Sequence, residues 1–158
     1  MLHATLKTVH LLAFTAWIGG MFFTLYCLRP ALGVLEGPSR VKLMHAALGR
    51  FFNAVVVAAA LVLVSGLWMV GRAAKGATQA GVPFNVPLDW WLMLGVGVLM
   101  VLIFGYVRLR LFRRLTLAAQ GQAWPDAARC LDHIRRWVFV NLCLGVLIIV
   151  ATQFGAVS

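Results

Sequence analysis

At 158 residues, with 63% of them hydrophobic and 11% charged, the chain has a mean hydropathy of +0.94. Soluble domains carry roughly 25% charged residues, so this composition excludes a soluble globular protein and leaves room for about four membrane spans of some 20 residues with short loops. The formal net charge of +10 does not argue for nucleic acid, because the basic residues segregate by loop instead of forming one basic domain.

The first predicted element is the stretch His10 to Arg29, eighteen uncharged residues between a histidine and an arginine. At about 1.5 Å per residue it nearly crosses a hydrocarbon core of roughly 30 Å. Its apolar run is too long for a signal peptide and no small-residue cleavage site follows, so it reads as a retained span ended by Arg29-Pro30. His3, His10, Trp17 and Met21 are spaced seven, seven and four apart, which puts them on one helix face. That face is either a packing stripe or a ligand-bearing one, since imidazole and thioether suit copper and imidazole suits haem iron. Gly19 and Gly20 suit close helix approach.

The second helix is expected to begin near Ser39, a good N-cap, and to run to about Gly71, with its first turns in the headgroup region. His45 and Arg50 then lie near the interface, and Asn53 lies a turn deeper, where an amide needs a partner. Arg72 to Leu88, with Pro83 and Pro87, reads as an irregular loop. Asp89 opens the third helix as an N-cap, Trp90, Trp91 and Tyr106 read as interfacial aromatics, and the following basic stretch is amphipathic. The fourth helix is expected from about Pro125 or Asp126. The fold class is therefore an all-α integral membrane protein, a single antiparallel four-helix transmembrane bundle with spans near 8–28, 51–71, 88–107 and 137–155.

With those spans, one side carries Lys7, Arg72 and Lys75, and the other carries the remaining eleven Lys and Arg residues. By the positive-inside rule the crowded side is cytoplasmic and both termini are periplasmic. Cys27, Cys130 and Cys143 lack metal-site spacing and read as small buried hydrophobes. The four acids, Glu36, Asp89, Asp126 and Asp132, fall in loops or at helix ends, which argues against a proton relay inside the membrane.

Two ligand sets emerge. His3, His10, Met21, Met69 and Met93 supply imidazole and thioether groups for copper. For haem b, His45 and His133 are the candidate axial pair and His10 the single alternative, with Arg50, Arg135 and Arg136 near the propionates. The pair rests on a local similarity: His45 to Phe51 to Asn53 repeats as His133 to Phe139 to Asn141, so equivalent residues have matching depth on diagonal helices.

The run from His10 through Trp17-Ile18-Gly19-Gly20 to Leu28-Arg29-Pro30, then Leu48-Gly49-Arg50-Phe51-Phe52, Ser65-Gly66-Leu67-Trp68, Ile134-Arg135-Arg136 and Asn141 to Gly145, resembles the copper-resistance protein D (CopD) family of bacterial inner-membrane proteins. The likeness covers nearly the whole chain. It implies a multi-pass inner-membrane protein involved in copper handling or transport across the membrane. More distantly, the first helix is similar to that of HemJ-type protoporphyrinogen oxidases, with His10 at the matching histidine, but the tyrosine-histidine pair expected after their third helix is absent. Any enzymatic role would be that of a haem-dependent membrane oxidoreductase. The partners implied are the lipid bilayer with either a periplasmic copper protein or a membrane redox partner, self-association being open and nucleic acid excluded.

Overall fold

The computed structural model describes residues 2–81, 83 and 88–155, with side chains for 4–81, 83 and 90–152. The described residues form helices joined by short turns, with no strand among them. They comprise α1 (Leu2–Phe23), α2 (Arg29–Ala31), α3 (Gly37–Gln79), α4 (Leu88–Tyr106), α5 (Phe112–Gln120) and α6 (Trp124–Gly155). Wide π turns, Thr24–Leu28 and Val107–Leu111, join α1 to α2 and α4 to α5. Four stretches are long and apolar enough to cross a membrane: Ala4–Val34, Gly37–Gln79, Trp90–Gln120 and Trp124–Thr152.

Arg29-Pro30 does not end the first helix. Proline has no N–H to give to the carbonyl four residues back and crowds it. The wide turn ahead of Pro30, in which the Arg29 N–H reaches the Thr24 carbonyl, lets the chain continue helically to Ala31. A short 3-10 turn, Leu32–Val34, then ends the span. Its carbonyls do not dangle: Arg40 donates to the oxygens of Leu32, Gly33 and Leu35 at 3.0, 3.2 and 3.0 Å.

α3 departs from expectation at both ends. It starts at Gly37 with Glu36 in the extended cap position and Pro38 in the first turn, so the preset φ of proline opens the helix and Ser39 is already inside it. At the other end it continues eight residues past Gly71, because Arg72-Ala73-Ala74-Lys75 and Ala77 favour helix strongly enough to carry Gly76. The stop comes at Gly81, whose φ of +70° is left-handed, followed by Pro83. The predicted N-cap side chain of Asp89 lies outside the described residues. α6 starts at Trp124, with Pro125 and Asp126 in its first turn as expected.

Trp17, Phe52, Met100, Leu115 and Ile134 lie in one buried core shared by the four spans. Aromatic edges link its layers: Trp17 meets Phe104 at 6.0 Å, and Phe52 meets Phe104 and Phe112 at 5.8 and 5.3 Å, all near perpendicular. α1 packs chiefly on α3, and α4 on α6. Gly20 sits so close to the Phe51 ring that a Cβ would overlap it, and one at Gly145 would meet Ile18, while nothing lies within 4 Å of a Cβ at Gly19. Only the second glycine of the pair is therefore used for close approach. Outward, Leu12, Val64, Leu102 and Leu147 are exposed, as lipid contact demands.

Candidate functional site

The start of α1 lies against the last half of α3. His10 Nδ1 is 2.9 Å from the hydroxyl of Ser65, which is itself buried. Gly66 makes room for the ring: a Cβ there would sit 3.4 Å from His10 Cε1. The Ser65 hydroxyl has a single proton and directs it to the Leu61 carbonyl of its own helix. With the Ser65 proton on Leu61, the hydrogen-bond network assigns His10 Nδ1 as the N–H donor to Ser65 and leaves the lone pair on Nε2.

His10 lines a largely apolar cavity of about 200 Å³ with Phe14, Trp90, Met93, Gly97 and Thr152 among its walls. The Thr152 hydroxyl is bonded back to the carbonyls of Ile148 and Ile149 at 2.9 and 3.0 Å, so its proton is also engaged. The cavity thus gathers an imidazole nitrogen, a thioether sulfur and a hydroxyl oxygen that have lone pairs to offer, with no acid among the described residues that line it. Neutral, borderline-to-soft donors of this kind suit a soft monovalent metal better than a hard divalent one.

The copper set expected from sequence is divided by the structure. His10 and Met93 come together at this cavity. Met21 is buried eleven residues along, at a separate, smaller cavity that also holds Asn141. Met69 is half-buried on α3 and is not among the lining residues, and the side chain of His3 lies outside the described residues. Among the described residues no group of three or more His, Cys, Asp or Glu side chains converges.

The haem set is also dispersed. His45 Nε2 meets the Thr116 hydroxyl at 2.9 Å, and its ring stacks on Phe112 at 5.0 Å and 5°. Because Thr116 gives its proton to the Phe112 carbonyl, Nε2 is the donor and is occupied. His133 is exposed on α6, and so are Arg50, Arg135 and Arg136. The facing imidazoles expected from the repeat are therefore replaced by a His45–Thr116 contact between α3 and α5. The paired asparagines diverge likewise. Asn53 is exposed and accepts from Arg108 at 3.1 Å, while Asn141 is buried with its Oδ1 unpartnered. Of the cysteines, Cys27 and Cys143 are exposed and Cys130 half-buried, so the reading of all three as buried hydrophobes does not hold.

Sequence reasoning missed Ser65, Thr116 and Thr152 as orienting groups. For Ser65 a signal was present, a lone hydroxyl in the apolar run Val62-Leu63-Val64-Ser65-Gly66-Leu67. It missed that Trp90 belongs to the cavity wall and not only to an interfacial belt.

No curated protein and no solved structure matches the chain. The family model for copper resistance protein D matches residues 45–154, a stretch that contains Ser65, Met93, Asn141 and Thr152 and most of the chain. The chain belongs to the copper resistance protein D (CopD) family.

Proposed function

We propose that this protein handles copper at the His10 cavity, taking it as cargo from the periplasmic side of a bacterial inner membrane. The observation that carries the reading is the His10–Ser65 hydrogen bond. By fixing the proton on Nδ1 it leaves the imidazole's other nitrogen free to bind a metal, the arrangement in which an outer partner orients a ligating histidine. Met93 adds a thioether and Thr152 an oxygen, and family membership supplies the link to copper. The spans are antiparallel in this reading, as His10 meets Ser65 while, further along α1, Gly20 meets Phe51. The segregation of Lys and Arg supports an outward His10 end, where a periplasmic copper protein would deliver or collect the ion.

The experiment is copper retention by the detergent-purified full chain under reducing conditions, set beside His10→Ala and Met93→Leu. The wild type should bind copper(I) stoichiometrically, with His10→Ala lowering affinity at least tenfold and Met93→Leu lowering it less. Equal retention by His10→Ala returns the stripe to a packing role.

A further inference from the structure

Ala46, Arg50, Asn53, Val57 and Val64 form an outward stripe on α3, all exposed and repeating at helical spacing. Valine suits lipid there; a guanidinium and an amide do not unless they find partners at the headgroup level. Tyr106 and Trp137, both exposed and edge to face at 5.6 Å on neighbouring spans, mark that level as interfacial aromatics do. Arg108, two residues beyond Tyr106, reaches across to α3: its Nη2 donates to Asn53 Oδ1 at 3.1 Å, and its guanidinium lies 5.2 Å from the centre of the Phe112 ring. That bond uses one of the guanidinium's N–H groups and leaves the Asn53 amide nitrogen free to donate. Arg50, a turn nearer the headgroups on the same stripe, has no hydrogen-bond or ion-pair partner among the described residues. No described acid offsets the two charges. Asp132 pairs with Arg29 and Asp126 with Arg129, while Glu36 stands fourteen residues from Arg50, about 21 Å along the helix at 1.5 Å per residue. Two arginines and an amide thus present surplus donors side by side, directly above an apolar, lipid-facing strip.

We propose that Arg50, Arg108 and Asn53 form a binding site for one anionic phospholipid, its phosphate held by the two guanidinium groups and the amide, and an acyl chain laid along Val57 and Val64. Guanidinium forks match phosphate oxygens in geometry as well as charge. An anionic headgroup is selected over a zwitterionic one because the latter brings an ammonium toward two arginines that no acid balances. The lipid joins the second span to the third, which otherwise pack chiefly on α1 and α6. The site is at the far end of α3 from Ser65 and does not depend on the copper reading of His10.

The test is native mass spectrometry of the delipidated, detergent-purified full chain, titrated with phosphatidylglycerol or with phosphatidylcholine of the same chain length. The wild type should hold one phosphatidylglycerol at least about fivefold more tightly than phosphatidylcholine. Arg50→Gln, which has no partner in the protein to lose, should weaken that lipid about fivefold, the weight of one arginine at an anionic surface. Arg108→Gln should weaken it at least as much, because it also releases Asn53. The double variant Arg113→Gln with Arg114→Gln, exposed on α5 and further from the lipid, should leave it unchanged. Equal affinity for the two lipids, or unchanged phosphatidylglycerol binding in Arg50→Gln, overturns the site. Equal weakening by the Arg113 and Arg114 substitutions overturns it in favour of a diffuse basic face. The lipid should survive millimolar glycerol phosphate, and its displacement would overturn a lipid as occupant in favour of a free phosphate. Should Arg108→Gln fail to fold, Arg50→Gln decides alone.

Discussion

In the proposed copper site, His10 is oriented by Ser65, which would not itself touch the ion. Without Ser65 the imidazole would be free to exchange tautomers and to rotate, and the lone pair at Nε2 would be present only part of the time. Ser65→Ala should therefore weaken copper(I) binding by about 10- to 100-fold, the usual effect of losing the partner that orients a ligating histidine. Folding should be little affected, because the Ser65 hydroxyl otherwise serves only its own helix. Chelator competition on Ser65→Ala and Ser65→Thr checks this: the threonine should restore affinity, and an unchanged alanine variant would remove Ser65 from the site. Asn141 gives the opposite kind of residue-scale expectation. Its buried oxygen has no hydrogen-bond partner, and relief of an unsatisfied acceptor is worth about 1–3 kcal/mol. Asn141→Leu should thus melt at or above the wild-type temperature, and a marked fall would show that the amide stabilises the helix packing.

The elements themselves were largely legible, for reasons that also explain what was not. Apolar run length points to four spans because lipid leaves the backbone no other partner, and four described stretches are long and apolar enough to cross a membrane. Helix ends were the poorer part. Pro30 and Gly76 look like breakers locally, yet a π turn absorbs the first and alanine-rich flanks carry the second. Facing residues were harder still, since a periodicity of seven puts His10 and Met21 on one stripe but says nothing of which cavity each reaches. The repeat misled for the same reason: equal depth for His45 and His133 does not make equal azimuth, and the first turns to Thr116 while the second is exposed. Gly19 and Gly20 make the point testable. Gly20→Ala forces the Phe51 ring to move and should cost about 1–3 kcal/mol, the range for overpacking. Gly19→Ala, with open space around it, should be neutral or slightly stabilising through helix propensity. Thermal unfolding of the two variants in one detergent separates them, and equal losses would mean that α1 and α3 do not approach at Gly20.

For the molecule as a whole, orientation decides whether the proposed copper site at His10 faces outside or the cytoplasm. The ends of the molecule differ sharply in charge. Near the His10 end the described chain offers Lys7, Arg72 and Lys75, whereas Arg29, Arg108 and the arginines of α5 belong to the other end, where Arg29 pairs with Asp132 and Arg108 with Asn53. The Arg29–Asp132 bridge is partly exposed, at 30% and 54%, and contributes at most about 1 kcal/mol. Such pairs do not set which way the chain inserts; the number of Lys and Arg residues in short loops does, because each resists transfer across the membrane. Reporter fusions after residues 35, 81, 122 and 158 should therefore alternate, with cytoplasmic signals from 35 and 122 and periplasmic signals from 81 and 158. A cytoplasmic signal at 158 together with a periplasmic one at 122 would reverse the molecule, turning the His10 cavity toward the cytoplasm and making it a site of release or export. The agreement of all four fusions with the charge pattern would leave the periplasm as the side from which copper reaches His10.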